Sequence, residues 1–204
     1  NNGDDCVVFM ERSDLDRFSH GVYEWFMKLG FNMAIEAPVY MFEQIEFCQT
    51  KPIFDGKTWI MCRNPYTAIV KDSVMLKPYQ SPREFKNWLN AVGMGGLRLA
   101  GGLPIFQELY MCYIRAGNVK GVLTKEQRSR QNKNDGNFDL LSWSHRHASI
   151  GFKRDYGIVS PIARDSMYWA FDITPDEQIC LEEYYSQLVI SSDLGNYAPR
   201  SVFT

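Results

Sequence analysis

Four times in this chain a capping residue stands directly before a proline: Asn64-Pro65, Ser81-Pro82, Ser160-Pro161 and Thr174-Pro175. An Asn, Ser or Thr side chain accepts from the free N–H groups of a first helical turn. Proline fits the first helical position because its missing N–H has no helical partner there. Each pair is followed by helical patterning. Beyond Asn64-Pro65 the pattern turns helical, and after Ser81-Pro82 the residues Phe85, Trp88, Leu89 and Val92 recur at helical spacing, with a stop at Gly93 to Gly96. Gly101-Gly102-Leu103-Pro104 opens a further helix carrying Phe106, Leu109, Tyr110, Tyr113 and Ile114 and closed by Gly117. Ser160-Pro161 leads into Ile162, Met167, Trp169, Ala170 and Phe171, and Thr174-Pro175 into Ile179, Cys180, Tyr184, Leu188 and Val189.

Upstream of residue 64 the signals are of another kind. Asn2-Gly3 is a hairpin-turn dipeptide, since both residues accept positive φ, and the apolar run Cys6 to Met10 suits a buried strand. Its partner strand across the turn is missing, so the chain reads as a fragment of something longer. Ser13 or Asp14 can cap a helix in which Leu15, Phe18, Val22, Trp25, Phe26 and Leu29 repeat at helical spacing up to Gly30. Met33 and Ile35 alternate before Pro38, which predicts a short edge strand within 31–40. Ile45 to Gln49 and Thr58 to Cys62 flank Asp55-Gly56 and predict a second hairpin. Strands first and helices later make an α+β arrangement. The expected division is 1–63 with antiparallel strands plus one helix, 64–191 mainly helical, and a loose tail over 192–204; Lys125 to Gly136 reads as an exposed loop.

With 45% of its 204 residues apolar, the chain can bury a substantial core, and no apolar run reaches the roughly 18–20 residues of a membrane span. There is no basic-then-apolar leader pattern, so a soluble intracellular chain is expected. The five cysteines, Cys6, Cys48, Cys62, Cys112 and Cys180, are widely spaced without a zinc-site pattern and read as small core residues in a reducing compartment. The net charge of −2 divides unevenly, −6 over residues 1–50, +10 over 51–154 and −6 over 155–204. A basic middle between acidic ends suits a polyanion-binding surface beside a carboxylate-rich region.

Asp4 and Asp5, adjacent at the first turn, are the residues most suited to chemistry. Two carboxylates on a hairpin tip form half of a magnesium site, because Mg²⁺ takes hard oxygen ligands, usually one or two carboxylates with substrate phosphates. Read in order, Asn1-Asn2-Gly3-Asp4-Asp5-Cys6-Val7-Val8, the helix at 14–29 with Gly30-Phe31-Asn32-Met33 and Glu36, and Glu43-Gln44-Ile45-Glu46-Phe47-Cys48-Gln49 resemble motifs C, D and E of positive-strand RNA virus RNA-dependent RNA polymerases, of the tombusvirus-like group in particular. Trp59 through Arg63-Asn64-Pro65 and Lys71-Asp72 resembles the continuation in that group. Ala163-Arg164-Asp165-Ser166 and Ala170-Phe171-Asp172-Ile173-Thr174-Pro175-Asp176-Glu177-Gln178 resemble its thumb signature. A reverse transcriptase would carry an aromatic residue where Asn2 stands.

The resemblance implies a partial polymerase palm followed by a thumb, and RNA-templated RNA synthesis by a two-metal mechanism with Mg²⁺ or Mn²⁺. Asp4 then binds metal and Asp5 supports it. The motif A aspartate and the motif B residues are not in this sequence. Cys48 and Gln49 are expected near the primer end, Arg63 and Lys71 on nascent-strand phosphates, and Lys28 is the nearest candidate for a motif D general acid. His145, His147 and Trp143 are candidates for stacking on a first nucleotide. Implied partners are template and product RNA, nucleoside triphosphates, the missing fingers and upstream palm, and other replication proteins, in the host-cell cytoplasm at replication complexes. The fragment alone is expected to be inactive. A competing reading is a non-catalytic RNA-binding or replication-complex interaction module, and a third is an unrelated helical protein with a chance Gly-Asp-Asp.

Overall fold

All four cap-and-proline pairs open helices in the computed structural model, which describes residues 1–75, 81–117 and 154–191. Asn64 Oδ1 accepts from the Tyr66 N–H at 2.9 Å, Ser81 Oγ from Glu84 at 3.3 Å, Ser160 Oγ from Ala163 at 3.1 Å and Thr174 Oγ1 from Glu177 at 3.4 Å. Glu177 Oε2 accepts in return from the Thr174 N–H at 2.8 Å, completing a capping box.

In chain order the described elements are α1 (Leu15–Lys28), β1 (Thr50–Phe54), β2 (Trp59–Arg63), α2 (Pro65–Asp72), α3 (Pro82–Ala100), α4 (Phe106–Ala116), α5 (Pro161–Phe171) and α6 (Pro175–Gln187), with short 3₁₀ turns at Arg12–Asp14 and Phe42–Gln44. Among the described residues this is a mixed fold of helices and one two-stranded antiparallel sheet, as expected at that level. The strands pair Thr50 with Arg63 and Phe54 with Trp59. Asp55 closes the hairpin, its Oδ1 accepting from the N–H groups of Lys57 and Thr58, each at 2.7 Å.

One hydrophobic core joins Ile53 of β1, Cys62 of β2, Trp88 and Leu89 of α3, Phe106, Leu109 and Tyr110 of α4, Met167 of α5 and Tyr185 of α6. The stop expected at Gly93 to Gly96 is not there, and α3 runs on to Ala100. The glycines serve contact instead of termination. A Cβ at Gly93 would meet Ile114 and the Tyr110 carbonyl oxygen at 2.8 Å, and one at Gly96 would meet the Tyr110 ring at 2.2 Å, so small residues let α4 lie close against α3.

The hairpin docks on α5 through polar bonds as well as through Ile53. Ser166 Oγ accepts from the Phe54 N–H at 2.9 Å and donates to the buried Glu43 at 3.1 Å, while Lys51 Nζ donates to the Ala170 carbonyl at 3.1 Å. Arg154 clips the hairpin turn to the α3–α4 connection, pairing with Asp55 Oδ2 at 2.8 Å and donating to the Gly101 carbonyl at 2.7 Å. On α6, Glu182 binds Arg164 of α5 in a two-pronged ion pair at 2.9 Å on each arm. Its Oε1 also accepts from the N–H of Ile105, which sits at φ +64°.

Several local expectations are corrected. Cys6 to Met10 pairs with no strand among the described residues, because a strand needs a neighbour to take its backbone groups. Residues 31–40 carry no regular structure. The first strand of the second hairpin lies at Thr50–Phe54, not at Ile45 to Gln49, because Cys48 and Gln49 have positive φ and form a turn between Phe47 and Thr50. Helix α1 breaks at His20-Gly21, where Gly21 has φ +87°, and buries none of its residues. Cys62 and Cys112 are core residues as expected, but Cys6 and Cys180 are exposed; all five cysteines are free. No described helix is long and apolar enough to cross a membrane. The loop at 125–136, Trp143, His145, His147 and the tail lie outside the described residues.

Candidate active-site edge and nucleic-acid interface

Gly3 is the residue that makes the first turn. At φ +63° it occupies the left-handed region, and Asn2 and Asp5 close around it with reciprocal backbone bonds of 2.8 and 3.2 Å. The turn thereby presents Asp4 and Asp5, both exposed, on a short reverse loop. Asn2 then reaches 46 residues along the chain, its Nδ2 donating to Cys48 Sγ at 3.4 Å.

Cys48 stands at the corner of a second tight turn. Phe47 and Thr50 exchange backbone bonds of 2.9 and 3.0 Å, and Cys48 and Gln49 between them have φ of +51° and +59°. From α2, Lys71 Nζ donates to Gln49 Oε1 at 2.9 Å. The neighbouring Asp72 pairs with Arg63 at 3.2 Å and accepts from the Tyr110 hydroxyl at 2.8 Å. Burial, and after it the charge of Asp72, pushes the Tyr110 phenol well above its ordinary range, so it remains a neutral donor.

Of the residues singled out in the sequence, the structure therefore brings the Asp4-Asp5 turn, Cys48, Gln49 and Lys71 together on one strip, with Arg63 beside it. Lys28 is exposed in the last turn of α1, and no hydrogen bond or ion pair among the described residues ties it to that strip.

Behind the strip, between the hairpin and the end of α5, opens a cleft of about 670 Å³ lined by Gln44, Glu46, Gln49, Lys51, Asn64, Thr67, Trp169 and Asp172. Trp169, which the sequence places on the helix opened by Ser160-Pro161 without assigning it a face, is 48% exposed. The signal was available in the spacing. Ala163, Ser166, Met167 and Ala170 form the buried stripe of α5 at i, i+3, i+4 and i+7, which leaves Ile162 and Trp169 off it.

Adjacent, exposed carboxylates of hard oxygen donors fit part of a Mg²⁺ site. Among the described residues no group of three or more His, Cys, Asp or Glu side chains assembles to complete one, so Asp4 and Asp5 offer a half-site.

The family described as viral RNA-dependent RNA polymerase matches residues 1–193. The chain belongs to this family. Among curated relatives, the RNA-directed RNA polymerase of oat chlorotic stunt virus is 47% identical over 100% of this chain and 27% of the relative. That of carnation mottle virus is 41% identical over 96% of this chain and 24% of the relative, and that of turnip crinkle virus 40% over 92% and 23%. The chain thus spans about a quarter of the length of these relatives. The resemblance to tombusvirus-like polymerases is borne out by these viral RNA polymerase relatives. No solved structure matches the chain.

Proposed function

We propose that this chain carries palm motifs C, D and E over residues 1–63 and the thumb over 64–191 of an enzyme that copies RNA from an RNA template. The observation that carries the reading is the Asn2–Cys48 contact, which sets the aspartate turn against the Cys48–Gln49 turn. A growing RNA end has to meet its incoming nucleotide beside the metal-binding carboxylates, and two tight turns in contact make such a corner. In this reading Asp4 ligates metal directly and Asp5 supports it from the same turn. Two Mg²⁺ ions, or Mn²⁺, would supply Lewis-acid activation of the attacking 3′-hydroxyl and neutralisation of the leaving pyrophosphate. The Cys48–Gln49 tip lies at the primer end, and the substrates are template RNA, product RNA and nucleoside triphosphates. The basic middle of the chain provides counter-charge for the duplex.

The test is primer extension by the complete polymerase. Asp4→Asn is expected to abolish template-dependent incorporation with an unchanged thermal melt, and Asp5→Asn to keep partial activity with a preference shifted toward Mn²⁺. Near-normal elongation by Asp4→Asn in Mg²⁺ overturns the assignment.

A further inference from the structure

Cys48 and Gln49 hold an uncommon backbone. Their φ values of +51° and +59° lie in the left-handed region, and neither is the glycine or asparagine that accepts such a turn readily. Three of the bonds that hold the turn sit at its base: the exchanged pair between Phe47 and Thr50 at 2.9 and 3.0 Å, and Thr50 Oγ1 donating to the Phe47 carbonyl at 2.6 Å. A fourth reaches the tip, where Lys71 Nζ meets Gln49 Oε1 at 2.9 Å.

Lys71 is itself well anchored. It precedes Asp72, which is held by Arg63 of β2 at 3.2 Å and by Tyr110 of α4 at 2.8 Å. On the far side the tip meets the aspartate turn through Cys48 Sγ and Asn2 Nδ2 at 3.4 Å. A path of hydrogen bonds and adjacent chain positions therefore runs from Tyr110 and Asp72 through Lys71, Gln49, Cys48 and Asn2 to the turn that bears Asp4.

We propose that Lys71 is a positioning residue for nucleotide addition: it holds the Cys48–Gln49 tip in its left-handed conformation and, through that tip, sets the turn carrying Asp4 and Asp5. This rests on the polymerase reading above and departs from the phosphate contact expected for Lys71. A charge-assisted bond to an amide oxygen directs the ammonium onto the protein. A side chain that only neutralised phosphate would have no need of a strained tip beneath it.

The experiment uses the complete polymerase with Lys71→Met, Gln49→Gly and the double variant. Glycine adopts the left-handed conformation unaided, so it removes the need for the brace. Lys71→Met is expected to lower kcat for nucleotide addition roughly tenfold to a hundredfold, the size of effect that a displacement of about 1 Å produces, with little change in nucleotide KM. In the Gln49→Gly background the same change should lower kcat less than about twofold. The slope of RNA affinity against salt should not move in either background. Maleimide labelling of Cys48, read at peptide level by mass spectrometry, should quicken in Lys71→Met. A salt slope flattened by about one unit makes Lys71 a phosphate contact and overturns the proposal. So does the absence of rescue by Gln49→Gly, or unchanged Cys48 labelling. Cys48 labelling reports the brace without reference to catalysis, whereas near-normal elongation by Asp4→Asn would sink the metal-ligand role of Asp4 in the reading above, so the two failures are distinct.

Discussion

At Gly96 a single hydrogen in place of a side chain decides how two helices meet. A Cβ there would stand 2.2 Å from the Tyr110 ring, which is buried and bonded to Asp72, so neither the ring nor the backbone behind it can give way freely. Gly96→Ala is therefore expected to destabilise the protein by about 1–3 kcal/mol through overpacking. At roughly 2–4 °C per kcal/mol for a chain of this size, differential scanning calorimetry should show a lowered melting temperature. An unchanged melt would mean that α4 shifts away at no cost. Gly21 makes the opposite case, since nothing lies within 4 Å of its missing Cβ and only its φ of +87° calls for glycine. The same letter in the sequence serves close approach at one position and backbone conformation at the other. Local patterning does not tell them apart, because the atoms that crowd Gly96 belong to another helix.

The β1–β2 hairpin shows how much of an element depends on its neighbours. Its turn was legible at Asp55-Gly56, and β2 fell within a residue of expectation, but β1 was displaced by the Cys48–Gln49 turn. The Asp55 carboxylate then clips the hairpin to Arg154 at 2.8 Å. Burial alone would raise its pKa; the bonds from the Thr58 N–H, Arg154 and the Lys57 N–H outweigh that and hold it below the ordinary 3.8. A depressed carboxyl pKa contributes stability that is fully present above the unfolded value and disappears as pH falls through the folded one. The stability difference between wild type and Asp55→Asn, measured by denaturant unfolding, should thus be constant from about pH 7 to 5 and shrink below about pH 4. A difference that persists undiminished at the lowest pH would show that the clip owes nothing to the charge of Asp55.

On the scale of the molecule, the acidic first fifty residues and the basic middle meet at the strip that joins the Asp4-Asp5 turn to Lys71. Part of the basic middle, residues 118–153, lies outside the described structure. The first forty residues leave large apolar side chains open, Phe9, Trp25 and Phe31 among them at 57–70% exposure, a surface suited to burial against further structure. The two-metal reading proposed above needs carboxylates from more than one strand, and among the described residues no third metal-ligating side chain joins the Asp4-Asp5 pair. Purified by itself, the 204-residue chain is expected to incorporate no nucleotide in primer extension. Template-dependent synthesis by the chain alone, abolished by Asp4→Asn, would refute the two-strand argument.

Features written in bonds between near neighbours were legible in the string of residues alone. The four helix starts need a capping oxygen and N–H groups two or three residues on, and the Asp4-Asp5 turn needs a glycine that accepts positive φ. The ordered run of polymerase-like segments was likewise visible as a string of letters. Tertiary structure decided the rest. Whether Cys6 to Met10 pairs depends on a strand elsewhere, and whether α3 ends or continues at Gly93 to Gly96 depends on the approach of α4. The left-handed tip at Cys48–Gln49 goes against the preference of its own residues and is held at its end by Lys71, 22 residues away along the chain. Its contact with Asn2 spans 46 residues, a distance over which no local propensity acts.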